Sequence, residues 1–273
     1  MARRKHRKRK TLAANADRHH LYQESVQCVE AEIDMVDQTY KELRGRHAVR
    51  LREDFCGTGN TSCEWVRRRR ANTAVGFDLD PEVLAWGRRE NIAKMSKQRQ
   101  ARVELVEQDV LTAGATDVDI IVAMNFSYLI FKTRAQLRDY FAAARRGLKQ
   151  DGILMLDGYG GHESWRTIQE KTKLDGFTYY WDQRKFNPIT FEALCHIHFK
   201  FPDGSKMKRA FTYDWRMWTL PEIRETLADA GFAKSTVYWE GTDEKTGEGN
   251  DIYTPTEEGE DDPSWIVYIV AEK

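Results

Sequence analysis

A glycine-rich turn between an acid and a helix-forming segment most constrains the fold of this 273-residue chain. The apolar-flanked residues 47–55 predict a strand, and Gly59 precedes a helical run that contains Trp65 and Val66. Gly57 and Gly59 therefore lie in a strand-to-helix turn, where glycine tolerates a positive φ and lets a ligand approach the backbone. The turn predicts a pocket of the nucleotide-binding type.

A second acid follows at the spacing that such pockets use. Residues 73–78 form a short β-rich run that ends at Asp78, roughly 20 residues after the turn, where a carboxylate accepts ribose hydroxyl hydrogen bonds. A dinucleotide fingerprint would need a third glycine three positions after Gly59, but Ser62 stands there. Dinucleotide sites also do not usually place an acid at the position of Glu53.

In these residues the chain resembles the class I S-adenosylmethionine (SAM)-dependent methyltransferases. The first family motif, an acid followed by a Gly-X-Gly turn, is matched by Glu53, Gly57 and Gly59. The ribose acid of the second motif is matched by Asp78, and the acid that holds the adenine amino group is matched by Asp109. The resemblance implies SAM as cofactor and S-adenosylhomocysteine (SAH) as product.

The resemblance also implies further cofactor contacts, and the chain departs from the family pattern at one position. Leu79, Val110 and Asn125 follow the three central strands and are expected to line the cofactor. Phe55 replaces the first glycine of the longer family motif. No residue is assigned as catalytic, because methyl transfer from a sulfonium mainly needs the acceptor's lone pair held close to the methyl carbon.

Strands and helices alternate through the middle of the chain, which predicts a parallel sheet with helices on both faces. The expected fold is a Rossmann-like, doubly wound α/β fold with a seven-stranded sheet, its last strand antiparallel. An antiparallel β cap follows strand five, and a helical extension precedes the sheet. The expected boundaries are a basic disordered tail at 1–16, one methyltransferase domain at 17–273, a substrate-capping insertion at 158–218 and an acidic loop at 240–263.

Alternating apolar residues on either side of residues 202–204 predict two cap strands with an aromatic underside. His196 and His198 fall on the other face. A metal site there is an alternative to solvated side chains, but no third ligand accompanies them, and no metal is expected.

Several aromatic residues are candidates for the acceptor site. Phe126 and Tyr128 follow strand four, Tyr159 follows strand five, and Trp215 lies in the cap. Tyr22 lies in a helix expected over residues 17–43, which family members often fold over the cofactor as a lid. The alternatives are a packing helix and aromatic residues that belong to the core.

Charge and composition leave two classes of acceptor open. The first ten residues contain seven Lys or Arg, which indicates a solvated tail or, alternatively, a segment that contacts nucleic acid phosphates. No apolar run approaches the roughly 18 residues that span a bilayer. The cysteines form no CxxC pair, so a reducing compartment, the cytoplasm, is expected. The oligomeric state cannot be read from the sequence.

The leading functional hypothesis is a SAM-dependent methyltransferase that acts on a nitrogen or sulfur atom of a small molecule. The alternative is an RNA or protein methyltransferase that uses the basic tail to anchor its substrate. A third hypothesis, a binding protein that has lost catalysis, is disfavoured because Glu53, Asp78 and Asp109 are all present.

Overall fold

The computed structural model describes residues 10–114, 116–243, 245–246 and 249–273. The described helices are α1 (Leu12–Asn15), α2 (Arg18–Ser25), α3 (Val29–Arg44), α4 (Asn60–Arg68), α5 (Pro81–Gly87), α6 (Lys97–Gln100), α7 (Arg134–Gly147) and α8 (Leu220–Asp229). The described strands are β1 (Arg50–Asp54), β2 (Thr73–Asp78), β3 (Val103–Glu107), β4 (Val118–Ala123), β5 (Leu148–Gly160), β6 (Ile168–Leu174), β7 (Phe177–Asn187), β8 (Glu192–Lys200), β9 (Lys206–Arg216), β10 (Lys234–Thr242), β11 (Gly249–Thr256) and β12 (Trp265–Glu272).

The chain divides into two compact units. The larger unit comprises Cys28–Ser164 and Arg216–Lys273, and the smaller unit comprises the residues up to Gln27 together with Trp165–Trp215. The expected single domain, with its cap at 158–218, therefore differs from the structure in its boundaries. The insertion begins later because β5 continues to Gly160.

The larger unit is built on an eight-stranded sheet in the order β11-β10-β12-β5-β4-β1-β2-β3. The strands β1 to β5 are parallel, and β12 pairs antiparallel with β5. This confirms the Rossmann-like α/β fold with a parallel-dominated sheet. The order reverses on the two sides of β1, and in such sheets ligands bind beyond the carboxyl ends of the strands at that point.

The count of seven strands was wrong, because part of the expected acidic loop at 240–263 forms a strand. β11 pairs antiparallel with β10, with Trp239 opposite Thr254. An outer β10 would leave backbone N–H and C=O groups without partners in the sheet, and β11 supplies partners for them.

Helices cover the sheet of the larger unit. α4 packs on β1, β2 and β3, while α7 packs on β4 and β5 and also against α8. Trp65 on α4 and Tyr40 on α3 are fully buried in the core that these helices share with the sheet. The Trp65 indole N–H donates to the Val49 carbonyl oxygen at 3.2 Å, which fixes α4 at the start of β1.

The helix expected over residues 17–43 is two helices. The Asp17 carboxylate caps α2 by accepting hydrogen bonds from the His19 and His20 amides. α2 ends at Ser25, whose hydroxyl donates to the Leu21 carbonyl at 2.7 Å. Such local hydrogen bonds compete with helix continuation. α3 then runs from Val29 to Arg44, and its C-cap residue Gly45 adopts φ 66.

The smaller unit contains a four-stranded antiparallel sheet in the order β6-β7-β8-β9. The separate antiparallel sheet is confirmed, but β6 and β7 were not anticipated. The expected disorder of residues 1–16 is contradicted by helix α1, which begins at Leu12. The Leu12 amide donates to the Asp203 carboxylate at 2.9 Å, which ties this helix to the turn after β8. Residues 1–9 of the expected tail lie outside the described residues.

The described part of the chain includes no helix that is long and apolar enough to cross a membrane.

Candidate cofactor and acceptor site

The glycine turn after β1 has the conformation that the sequence predicts. Gly57 and Gly59 adopt φ 51 and φ 65, and the Gly59 amide donates to the Cys56 carbonyl at 2.7 Å. A Cβ on Gly59 would lie 2.5 Å from Cδ2 of Leu105. Both the positive φ and the close approach to β3 therefore require glycine at position 59.

Phe55, the departure from the family motif, adopts the backbone conformation that a glycine would favour. Its φ is 57, a left-handed conformation that costs a non-glycine residue roughly 1–2 kcal/mol. The Phe55 ring packs against Tyr140 and Phe131, with centroids 5.4 Å and 6.1 Å away. Aromatic packing thus offsets the backbone strain, and the turn keeps its path without the glycine.

Two residues support the turn from the helix after β2, and the sequence interpretation missed both. A Cβ on Gly87 would lie 2.3 Å from the Thr58 carbonyl oxygen, so only glycine lets α5 approach the turn. Asn91 lies in the π-helical turn Arg88–Ile92 and donates to the same oxygen at 3.0 Å. The sequence contained a signal for this contact, because a glycine inside a predicted helix, such as Gly87, often marks close packing.

Glu53 lies buried at the carboxyl end of β1. Its Oε2 atom accepts hydrogen bonds from the Ser62 amide at 2.8 Å and the Ser62 hydroxyl at 2.6 Å. Burial raises the pKa of Glu53 to about 7, and the nearby Glu32 carboxylate acts in the same direction. A bound cation would offset this penalty, which fits the predicted role of Glu53 in binding the cofactor.

Asp78 ends β2, and Asp109 lies two residues after β3. Asp78 Oδ2 accepts from the Gly57 amide at 2.7 Å, and its Oδ1 accepts from the Asp80 amide at 3.0 Å. Asp109 Oδ1 accepts from the Leu111 amide at 2.9 Å. Both carboxylates are therefore held in place by backbone amides, while their remaining lone pairs can accept from ribose hydroxyls and an adenine amino group.

The neighbours of these acids differ in exposure. The Leu79 side chain is 66% exposed, which is unusual for leucine and suits a residue that lines a ligand site, whereas Val110 is buried. The cofactor contacts of Leu79, Val110 and Asn125 remain predictions.

A buried ion pair lies directly under the turn. The Arg52 guanidinium donates to both carboxylate oxygens of Asp54, at 2.6 Å and 3.1 Å. Both side chains are fully buried, and the Tyr140 hydroxyl also donates to Asp54 at 3.1 Å. Arg52 additionally donates to the Val110 carbonyl at 3.4 Å. The pair thus connects β1 to the segment that carries Asp109.

Residues after β4 form a second strained turn at the carboxyl edge. Asn125 and Phe126 adopt φ 56 and φ 57, and the Phe126 amide donates to Asp157 Oδ1 at 2.8 Å. Burial raises the pKa of Asp157 to about 8. Consecutive left-handed residues of this kind are rare outside glycine and concentrate at functional sites.

Glu32 on α3 joins this group of acids and was not among the predicted site residues. Its side chain is buried, and among the described residues its Oε2 atom has no hydrogen-bond partner. Burial raises the pKa of Glu32 to about 7. Its charge in turn raises the pKa values of Glu53 and Asp157, so the three carboxylates share one region of the larger unit. We call Glu32, Glu53 and Asp157 the acid group.

The predicted acceptor residues lie in different places. In the larger unit, the rings of Phe126 and Tyr159 pack against each other at the carboxyl edge, tilted by 38° with centroids 5.6 Å apart. Tyr128 is 1% exposed, and its hydroxyl donates to the Asp157 carbonyl at 2.8 Å. Tyr128 therefore holds the end of β5 within the core, and its contact with an acceptor remains a prediction.

The other two acceptor candidates lie in the smaller unit. The Tyr22 ring packs against Phe211 with centroids 4.8 Å apart, and the Trp215 ring packs against Tyr213 at 4.5 Å. Trp215 is 4% exposed. Both rings therefore take part in the packing of this unit, and their contact with an acceptor remains a prediction.

The acid group makes the stability of the ligand-free protein depend on pH. Carboxyl groups whose pKa is raised on folding stabilise the fold while protonated, and this stability is lost as the pH rises through their folded pKa values. Folding raises the pKa values of Glu32, Glu53 and Asp157 from 4.5, 4.5 and 3.8 to about 7, 7 and 8, so the stability is lost between about pH 4.5 and pH 8. We expect Glu32→Gln to restore on the order of 2 kcal/mol of the free energy of unfolding at pH 8.

Urea unfolding between pH 5.5 and 8.5 measures this effect. Glu30→Gln, at an exposed position of the same helix, should keep the wild-type slope. An equal slope in Glu32→Gln would show that Glu32 is not the titrating group.

The geometry can be compared with proteins of known class. Residues 55–152 match the family model of a methyltransferase domain. No match was found among curated proteins.

Three similar solved structures cover most of the chain. One is a SAM-dependent methyltransferase from Clostridium acetobutylicum ATCC 824, with 15% identity, 93% of this chain and 96% of that chain covered, and a TM-score of 0.68. The SAM-bound amino pentose methyltransferase CalS10 from Micromonospora echinaspora has 18% identity, 93% and 96% coverage and a TM-score of 0.66. The sugar N-methyltransferase KedS8 from Streptoalloteichus sp ATCC 53650 has 18% identity, 94% and 93% coverage and a TM-score of 0.64.

These findings agree with the geometry of the site. The matched segment contains the glycine turn, Asp78 and Asp109, and it runs into β5. Residues 55–152 thus match a methyltransferase domain, and the chain has the class I, Rossmann-like fold of the SAM-dependent methyltransferases to which it is similar.

Proposed function

We propose that the protein transfers the methyl group of SAM to an amine nitrogen of a small molecule. The acid group carries this proposal, because it combines buried carboxylates with an unpartnered oxygen, Glu32 Oε2. In this proposal Glu53 binds the cationic amino group of the cofactor. Glu32 is then available to bind a second cation, and a protonated or newly methylated amine of the acceptor is such a cation.

The chemistry of N-methylation fits these carboxylates. In the transfer, the sulfonium carbon–sulfur bond breaks, a carbon–nitrogen bond forms, and the positive charge moves from sulfur to nitrogen. The nitrogen must lose a proton before or after this step. A carboxylate with a pKa of about 7, such as Glu32, can accept that proton at neutral pH. A thiol acceptor would instead arrive as an uncharged or anionic group, which the acid group would disfavour.

The similar structures support the choice of first substrates. Among them are an amino pentose methyltransferase and a sugar N-methyltransferase. We therefore propose amino sugars as the first acceptor class to be tested.

A panel of matched acceptors tests the proposal. An amino sugar, the same sugar with a hydroxyl and the same sugar with a thiol are each incubated with SAM, and SAH and methylated product are followed by mass spectrometry. We expect turnover with the amine. We expect Glu32→Gln to lower kcat by about 100-fold and to leave the Kd for SAM within about twofold, while the exposed Glu30→Gln variant behaves as wild type.

Other outcomes would contradict the proposal. Turnover of the thiol without the amine would assign sulfur methylation. SAH formation only with RNA or protein, lost when residues 1–9 are deleted, would favour the macromolecular alternative. A normal kcat for Glu32→Gln on the amine would remove Glu32 from the mechanism.

A further inference from the structure

The polar face of the small sheet has an open depression of about 440 Å³ whose lining includes five cationic side chains. It lies within the smaller unit and is formed by side chains of β6, β7, β8 and β9. The cations that line it are Arg184, Lys200, Lys206, Lys208 and Arg209. Asp182 is the carboxylate among the lining residues, and His196 and His198 lie beside it.

The strand alternation explains why these groups share one face. Along β7, the rings of Tyr179 and Trp181 join the apolar cluster of this unit, while Tyr180 and Asp182 line the depression. Successive side chains of a strand point to opposite faces, so the two sets are separated by the sheet itself. The polar face is therefore distinct from the aromatic face that contains Trp215.

These cations lack the partners that balance other arginines of the chain. No carboxylate lies within 4.0 Å of any of the five cationic groups among the described residues. Asp182 faces His198 instead, with 3.2 Å between Oδ2 and Nε2. In the larger unit, by contrast, Arg52 and Arg69 are each paired with an aspartate. The depression thus carries an uncompensated positive charge.

A local distortion of β9 brings a second consecutive cation into the depression. Lys208 and Arg209 both line it, although neighbours in a regular strand would face opposite sides. Arg209 has φ 50, a left-handed value that breaks the alternation. Such distortions re-aim side chains and often occur next to binding sites.

The histidines are arranged to support this distortion. The Arg209 amide donates to His198 Nδ1 at 2.8 Å, which leaves the proton of a neutral ring on Nε2, facing Asp182. His196 is buried, and its Nδ1 lies 3.0 Å from the Thr212 hydroxyl. Burial lowers the pKa of His196, and the positive charges of Arg209, His198 and Arg184 lower it further against the opposing effect of Asp182.

We infer that this depression binds a compact multivalent anion, the phosphate or pyrophosphate group of a phosphorylated small molecule. Guanidinium groups match phosphate oxygens in charge and geometry, and an anion would neutralise the crowded cations. A metal ion would be repelled by the same cations, and the described residues include no group of three His, Cys, Asp or Glu side chains placed to hold one. The site is independent of the methyl acceptor proposed above.

Titration of the full chain with inorganic pyrophosphate tests this inference. Calorimetry should show saturable binding, and the ring-proton resonances of His196 and His198 should shift with the same Kd, while those of the exposed His47 in the larger unit stay unchanged. Arg184→Gln combined with Arg209→Gln should weaken binding by at least about tenfold, because two charge-assisted contacts are removed.

The control removes one positive charge outside the depression and is compared with Arg184→Gln alone, which removes one inside it. Lys185→Gln is exposed and adjacent in sequence to Arg184, but it does not line the site, and it should bind pyrophosphate as wild type does. Equal weakening in this control, or shifts that do not saturate, would overturn the inference. Binding of a 20-nucleotide RNA without binding of pyrophosphate would also overturn it, in favour of a polynucleotide surface.

Discussion

Replacing Arg52 by methionine is expected to lower the free energy of unfolding by about 3–5 kcal/mol, because it leaves the buried Asp54 carboxyl group without its partner. Arg52 and Asp54 are joined by two hydrogen bonds with no exposure of either side chain. The Tyr140 hydroxyl alone would then face the carboxylate. Urea unfolding at pH 7 measures the loss.

Arg50 on the same strand supplies the matched control. Its ion pair with Asp117 is 3.1 Å long, but the side chains are 46% and 68% exposed. Arg50→Met should therefore cost at most about 1 kcal/mol. Changing Arg52 and Asp54 together to apolar residues should recover part of the loss. Equal, small effects at positions 50 and 52 would show that the buried pair does not stabilise the fold.

Replacing Asp78 by alanine is expected to raise the Kd for SAM by at least about 100-fold, since two charge-assisted hydrogen bonds to the ribose would be lost. The same change removes the partner of the Gly57 amide, which Asp78 holds at 2.7 Å. The glycine turn would lose an anchor as well. Calorimetry with SAM measures the effect, and NAD should not bind to either protein.

Asp80 separates cofactor binding from folding in this test. It lies two residues away and caps α5 by accepting from the Glu82 amide at 2.9 Å. Asp80→Ala should lower stability by about 1 kcal/mol, with less than about a threefold change in the Kd for SAM. A wild-type Kd in Asp78→Ala would remove Asp78 from the cofactor site.

The cofactor motif could be predicted because its signal is local. A strand, a glycine turn and an acid at fixed spacing determine their own geometry, so Gly57 and Gly59 adopt the expected positive φ values. The predicted strand ending at Asp78 matches β2. Phe55 also adopts the positive φ of the glycine that it replaces in the motif.

Other elements carried no such signal. β6 is exposed along almost its whole length, so it has no alternation of apolar and polar residues to mark it as a strand. β11 is similarly exposed, and both strands form only because a neighbouring strand offers hydrogen bonds. Pairing partners of this kind depend on the tertiary fold rather than on local sequence.

The acid group was hidden for a related reason. Glu32 looks like an ordinary polar residue of an amphipathic helix, and its burial follows from how α3 packs in the larger unit. Arg52 likewise looks like a solvent-facing residue of β1 until the strand is buried on both faces. Burial of a charge is a property of packing, which a single sequence does not report.

The strand β11 has a consequence for how this protein behaves at high concentration. An unpaired outer strand is a template on which a second molecule can add, and β10 would be such a template without β11. β11 covers β10 and carries Pro255, which has no N–H to offer to a further strand. Proline and the surrounding acids thus close the sheet at this edge and protect the protein from aggregation.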